Sequence, residues 1–307
     1  MEMKLKLGTL LDFLRENKLL TQPAKGEINK DLVITGFSSI YDSKANTLSR
    51  MEAQTFEWST IKSAAVICSV KAVVPEHAGI VFIPVENPRD AFAVVVNEFF
   101  PKPTLTGISD TAVISQNNVQ IGRNVYIGHG VIIGDNVCID EGTRIFHNVV
   151  IGNNVSIGSN CIIHSGAVIG ADGFGYQKNL QGEYVKFPHL GGVKLGDYVE
   201  VGSNTVIARG KLSDTVIKKN VKIGNLNHIS HDVVINEHGM ITHQTHLGGN
   251  TTIMQNSWIA PGVILKQGIT IGEGSLAGMG SVVIRDVNAF DTVAGIPAKP
   301  INKKGSK

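Results

Sequence analysis

Residues 121–170 read IGRNVYIGHGVIIGDNVCIDEGTRIFHNVVIGNNVSIGSNCIIHSGAVIG, and this stretch decides the fold. Isoleucine recurs every sixth residue, at 121, 127, 133, 139, 145, 151, 157, 163 and 169. Glycine follows it at 122, 128, 134, 152, 158 and 170, and the fifth place of each hexad is small or β-branched, as in Val125, Val131, Thr143, Cys161 and Ala167. A helix needs apolar residues at a spacing of about 3.6, and a half-buried strand needs alternation. A period of six is neither. It suits a short flat strand followed by a turn whose Gly, Asn or Asp tolerates left-handed backbone angles. Three such units close a triangular coil, and stacked coils make a parallel β-helix. Each Ile then fills the interior and rests on the Ile 18 positions earlier.

Outside this stretch the period resumes at Leu195, Val201 and Ile207. It restarts at Ile217 after an irregular 213–216 and runs by sixes to Val283. It is interrupted at 171–192 by ADGFGYQKNLQGEYVKFPHLGG, a polar, aromatic and glycine-rich insertion read as a projecting loop, with Phe174 and Tyr176 as candidate substrate contacts. The N-terminal third has no period of six. It predicts a helix within 1–20 capped by Thr9, with Leu10, Leu11 and Leu14 on one face. Strands are predicted over 32–37, 63–70 and 79–85, a helix over 88–99, and a stiff linker at Pro101 and Pro103. The expected organisation is an α/β domain over 1–103, a mainly β solenoid over 104–290 carrying the insertion 171–192, and a short tail over 291–307.

The 307 residues are 42% hydrophobic and 18% charged, which excludes a disordered chain, and a net charge of +2 argues against a nucleic-acid binder. Cys68, Cys138 and Cys161 form no disulfide framework or CxxC pair, so a reducing compartment is expected. No signal peptide or long apolar run is found, so the reading is cytoplasmic, without membrane insertion.

Five of the ten histidines fall in NLNHISHDVVINEHGMITHQTHLGG, 225–249. His228 and His246 are 18 apart and should stack on one face. His231 plus 18 is Gly249, so bare backbone should lie one coil from it. None of the three histidines is at an Ile position, so they are expected to face outward. A flat face offers no cleft by itself. A second solenoid packed against it, in a trimer, would make one. Three readings stay open from the residues alone: a histidine general base, whose ordinary pKa suits neutral pH; a metal site between subunits, as in a γ-type carbonic anhydrase; and a solvated surface of a binding solenoid without catalysis.

At these residues the chain resembles the UDP-3-O-acylglucosamine N-acyltransferases of lipid A biosynthesis. The similarity lies in ITGFSSI (34–40), VENPRDAFA (85–93), SGAVIGADGFGY (165–176), KFPHLGGV (186–193), NTVIARGKLSDTVI (204–217) and NLNHISHDVVI (225–235). The resemblance implies a homotrimer of left-handed parallel β-helices, acyl transfer from a thioester to a nucleotide-linked amino sugar, and no bound cofactor or metal. It implies His231 as catalytic base and the Gly249 N–H as oxyanion donor. Asn225 and His228 would contact substrate, and the N-terminal domain would bind nucleotide; His246, one coil from His228, is expected from the spacing to contact substrate beside it. The chain departs from that family in four places. Gly224 stands where an Asp is usual, so an acidic partner for His231 is expected from elsewhere, Asp214 or a neighbouring subunit. Gly268 replaces a second histidine. Ser49-Arg50-Met51-Glu52-Ala53 replaces Ser-Phe-Leu-Ala-Asn, so Ser49 and Arg50 should meet the nucleotide without a stacking ring. The ending AGIPAKPI resembles that of transferases using coenzyme A, with Lys299 and Lys303 placed to meet its phosphates. The expected reaction is therefore N-acylation of a nucleotide-linked amino sugar by a short-chain acyl-CoA, with the lipid A enzyme and its acyl carrier protein thioester as the alternative.

Overall fold

The structure is a computed structural model that describes residues 4–52, 57–75, 79–100 and 105–301. Pro101 and Pro103, Ala53 and Lys303 lie outside the described residues. The chain divides into two compact units, Met1–Thr104 and Leu105–Lys307.

The second unit is the solenoid. Its strands are mostly two residues long and stack into three ladders of eleven, nine and eight. Parallel register sets Ile127 on Ile145, Ile133 on Ile151 and Ile139 on Ile157, the 18-residue step expected from the sequence. From Ile127 to Val283 these positions form one continuous core with the fifth-place residues. Fifth-place hydroxyls are admitted because the backbone satisfies them. Thr143 is fully buried and its Oγ1 donates to the Gly158 carbonyl at 2.8 Å. The fourth place makes the turn. Asn124, Asn136, Asn148, Asn154 and Asn160 hold φ between +54° and +59°, a region Asn tolerates better than other side chains.

Two departures from the period fall at one corner of the prism. After Ile169 the chain leaves for 171–192, which forms an antiparallel hairpin of Tyr176–Lys178 and Tyr184–Lys186. After Ile207 it leaves again for 209–214. Register recovers each time, with Ile157 on Leu195 and Ile207 on Ile229. The same corner follows Ile229 and Leu247, and so carries His231 and Gly249. The end is not a free tail through residue 301. Thr292–Gly295 extends one ladder in parallel, and Ala298–Pro300 folds back on it antiparallel.

The first unit packs the helices Leu7–Glu16 and Pro88–Phe99 with a four-stranded parallel sheet, Gly36–Phe37, Thr47–Met51, Ala65–Ser69 and Val81–Val85. Asn87 caps the second helix, its Oδ1 accepting from the amides of Arg89 and Asp90 at 3.2 Å each. Thr9 does not cap the first. The cap position is Lys6, without a side-chain bond, and Thr9 lies inside the helix. The strand Thr47–Met51 escaped the sequence reading because its buried Thr47 and Ser49 look polar. Their hydroxyls are spent on the Lys44 carbonyl, the Ser38 carbonyl and the Ser63 hydroxyl.

Candidate active site

His231 occupies the third place of its hexad, after Ile229 and Ser230. It faces away from the core, as expected, but it is only 9% exposed. Loops from the shared corner cover it. Its Nδ1 lies 3.0 Å from Asp232 Oδ2. A carboxylate can only accept, so Nδ1 carries the proton and Nε2 is left with a lone pair. Asp232 is itself fixed. Its Oδ1 accepts from the Lys211 amide at 2.9 Å and the Ser213 hydroxyl at 3.1 Å, while its own amide donates to Thr215 Oγ1 at 3.0 Å. Asp232 stands at φ +58°, in the turn place that Asn fills elsewhere. The acidic partner is therefore the next residue. Asp214 is engaged otherwise: it pairs with Lys194 at 2.7 Å and accepts from the Gly192 amide at 2.8 Å. Those contacts hold its carboxyl below the usual carboxylate range.

Gly249 lies against the imidazole ring. A Cβ there would sit 2.4 Å from Cε1, 2.7 Å from Nε2 and 2.9 Å from Nδ1 of His231. Its amide lacks a contact that some third-place amides of this fold make. At several coils a third-place amide is met by the third-place side chain of the next coil. Asp135 donates to Asn153 Oδ1 at 2.9 Å, and Ser203 donates to Asn225 Oδ1 at 2.8 Å. Opposite Gly249 stands Gln267, and no such bond forms; among the described residues the Gly249 N–H has no partner. Imidazole and free amide thus lie one coil apart at the same corner, where a carbonyl addition can use both.

A cavity of about 490 Å³ opens beside them, lined by Gly173, Phe174, His228, His231, His246, Gly249, Ile264, Leu265 and Lys266 among others. One chain forms this cavity without a partner, because Gly173 and Phe174 of the insertion overhang the ladder. His228 and His246 stack with centroids 5.2 Å apart and planes 4° from parallel. Burial, then the neighbouring His246, holds the His228 imidazole below its ordinary pKa. Parallel rings at that spacing do not converge on one ion, and among the described residues no group of three or more His, Cys, Asp or Glu is placed to hold a metal.

Other expected site residues lie elsewhere. Asn225 is on a different corner, where it caps Ser203 and donates its amide to His243 Nδ1 at 3.0 Å. Tyr176 does not line the cavity; it packs edge-on against Phe174 at 5.1 Å. Lys299 pairs with Ala294 in the last antiparallel turn, also outside the cavity, whose lining cation is Lys266. In the first unit Ser49 is fully buried and does not face a ligand. Arg50 does line a second cavity, of about 400 Å³, and pairs there with Glu52. Phe37, Tyr41 and Phe92 line it too, so aromatic rings are present although position 50 is not one.

One residue of the site was missed. His189, from KFPHLGG, is 5% exposed, and its ring centroid lies 5.3 Å from that of His231.

The bacterial transferase hexapeptide family (six repeats) matches residues 116–147 and 139–171. This chain carries that repeat. It is similar to UDP-3-O-acylglucosamine N-acyltransferases: to that of Helicobacter pylori (strain ATCC 700392 / 26695) at 46% identity over 90 residues, 29% of this chain and 27% of that protein. To that of Methylorubrum extorquens (strain PA1) it is similar at 39% over 135 residues, 44% of this chain and 38% of that protein. The matches thus span well under half the length of these relatives. Among solved structures, LpxA of Bacteroides fragilis 9343, a UDP-N-acetylglucosamine acyltransferase, superposes with a TM-score of 0.57 at 26% identity, covering 63% of this chain and 73% of that one. LpxA of Moraxella catarrhalis RH4 gives 0.53 at 26% identity, over 63% and 73%. The resemblance read from the sequence stands, and the hexapeptide-repeat unit is a left-handed β-helix like theirs. Among the described residues no helix is long and apolar enough to cross a membrane.

Proposed function

We propose that this chain is an N-acyltransferase that moves an acyl group from a thioester to the amine of a UDP-linked 3-O-acylglucosamine. The observation that supports it best is the pairing of a carboxylate-oriented His231 with the unpartnered Gly249 amide. His231 Nε2 takes a proton as the amine attacks the thioester carbonyl, and the carbon–nitrogen bond forms. The Gly249 N–H receives the oxyanion. Collapse breaks the carbon–sulfur bond, and the proton leaves with the thiolate. A positioned general base is worth about 10²–10⁴ in rate, and one oxyanion donor about 10²–10³. Phe174, Ile264 and Leu265 give the cavity an apolar wall for an acyl chain. The names of the relatives favour this lipid A type of acceptor over the short-chain transfer to other nucleotide sugars expected from the sequence. Phe37, Tyr41, Phe92 and Arg50 suit a planar base, by stacking or cation–π contact. We take the assembly to be a cytoplasmic homotrimer. Exposed apolar residues on the flat faces, Ile132, Met240, Trp258 and Ile264, support self-association.

The test is thiol release with UDP-3-O-acylglucosamine, and separately with other nucleotide-linked amino sugars, against a panel of thioesters from acetyl-CoA to a long hydroxyacyl carrier protein. Turnover is expected with the long acyl donors and should fall by at least about 10² in His231→Ala. Turnover with short acyl-CoA and a different amino sugar would restore the other donor reading, and unchanged kcat in His231→Ala would remove the base. Light scattering should give three chains per particle, and an active monomer would refute the trimer.

A further inference from the structure

Gln267 stands opposite the Gly249 amide and leaves it open, and the other coils of the solenoid show why. Among the described residues, five third-place amides are capped by the third-place side chain of the next coil. His129 and Asn225 donate to Nδ1 of His147 and His243 at 3.0 Å each. Asp135, Ser159 and Ser203 donate to Oδ1 of Asn153, Asp197 and Asn225 at 2.9, 2.9 and 2.8 Å. Every one of these acceptors is a δ atom. Where the third-place acceptor sits one bond further out, at ε, it turns to a side chain instead: Glu141 to Arg123, Glu237 to Lys218 and Glu273 to Gln255. Gln267 has only ε atoms to offer. The backbone around it matches that of the capped coils. The Gly268 amide donates to the Gly249 carbonyl at 2.9 Å, as Asn154 does to Asp135 at 2.9 Å and Leu226 to Ser203 at 3.0 Å. These three fourth-place donors hold φ of +72°, +59° and +61°. The register at this coil would therefore accept a cap, and the side chain present does not supply one. Gly249 is buried, and a buried amide without a partner costs stability and calls for a reason.

We propose that Gln267 is a positioning residue whose extra methylene keeps the Gly249 N–H open to substrate. It rests on the proposed role of that N–H as oxyanion donor. Gln267 lines the same cavity as Gly249 and His231, so its side chain belongs to the cavity wall and not to the ladder. An Asn at this place would set its Oδ1 where Asn153 and Asn225 set theirs, and would commit the donor to the fold. A donor already engaged cannot receive the charge that develops on the carbonyl oxygen, whereas a vacant one meets it without rearrangement. The bare backbone at 249 completes the arrangement, since no side chain shields the amide from the cavity. The capping that stabilises other coils is thus withheld at the coil beside His231, by one methylene.

The experiment compares Gln267→Asn, which supplies a δ acceptor, with Gln267→Ala, which supplies none. Gln267→Asn should lower kcat by about 10²–10³, the range for one oxyanion donor. KM should change by less than about twofold, because the charge concerned exists only in the transition state. Gln267→Ala should stay at least about tenfold faster than Gln267→Asn, the reverse of the order that chemical likeness predicts. Equal losses in the two variants would reduce Gln267 to packing or substrate contact and overturn the proposal. A second arm needs no activity and reads the amide itself. In the intact protein labelled with ¹⁵N-glycine, the Gly249 signal is the one absent from Gly249→Ala. Its hydrogen exchange should slow at least about tenfold in Gln267→Asn, relative to both wild type and Gln267→Ala. Exchange that does not slow in Gln267→Asn overturns the proposal, whatever the substrate proves to be. Slowed exchange with an undiminished kcat would support the open amide and place the failure in its role as oxyanion donor.

Discussion

Gly249→Ala puts the catalytic geometry under the most direct strain. The backbone at 249 is not in the left-handed region, so alanine meets no conformational objection there. The objection is contact. The new methyl would stand 2.4–2.9 Å from three atoms of the His231 ring, against about 3.4 Å for ordinary contact. The imidazole must therefore move by roughly 1 Å, or the coil must lift. Either motion opens the 3.0 Å bond from Nδ1 to Asp232 and carries Nε2 away from the attacking amine. A displacement of ~1 Å costs about 10² in rate. Overpacking costs about 1–3 kcal/mol of stability, which a solenoid with a core running from Val125 to Val293 should survive. Kinetics with the best thioester should then show kcat down about a hundredfold, with a circular dichroism spectrum unchanged and acceptor affinity largely kept. Gly249→Ala retaining half of wild-type kcat would show that neither the ring position nor the amide beside it matters, and the mechanism would fall with them.

Three further outcomes follow from named contacts. Asp232→Asn should lower kcat by about tenfold to a hundredfold, because an amide does not fix the His231 tautomer, whereas Asp214→Asn should leave kcat near wild type; steady-state kinetics of both separates them. His189 and His228 both have pKa values pushed below the ordinary histidine value of ~6.5, so the unfolded chain binds more protons from that value down to the folded ones. Stability is then present above pH ~6.5 and is lost as pH falls through that window; Tm should drop between pH 7.5 and 5, and less steeply in His189→Leu. Asn227 is 2% exposed and spends its side chain on the Gly224 and Thr242 carbonyls and on Thr245; Asn227→Ala should cost about 2–4 kcal/mol in urea unfolding, since those groups are left unpaired inside the solenoid.

The solenoid could be read because one constraint repeats: an Ile every sixth residue has no place to go but inward. The same arithmetic gave the stacking of His228 on His246 and the meeting of His231 with Gly249. It did not give Asp232, because the family resemblance places the acid before the histidine, at 224, where this chain has Gly. The signal was present in the turn column, where Asp stands in the place that Asn fills along most of the ladder. His189 was out of reach for a different reason. The insertion has no period, so nothing in it fixes where a side chain lands; only the corner from which it departs was computable, and that corner is the one holding His231. Asn225 misled because its position in the sequence, six before His231, places it one corner away. Ser49 misled because a short hydroxyl reads as polar surface until its partners Ser38 and Ser63 are seen. The α/β unit was half legible, since its helices announce themselves by apolar spacing, while a buried strand rich in hydroxyls does not.

The recovery of register after each excursion has a consequence for how such a chain can change over generations. Ile207 meets Ile229 as squarely as Ile127 meets Ile145, so the core does not sense how many residues pass outside it at that corner. Lengthening a loop there costs only closure entropy, about 0.6 kcal/mol per doubling. Insertions and deletions at the exposed hairpin of 171–192 therefore cost the core little, whereas 209–214 is tied to Asp232 through Lys211 and Ser213 and is less free to change. Descent can explore new acyl groups and new sugars at that corner without reopening the question of whether the protein folds, and the ladder beneath preserves the chemistry while the lining drifts.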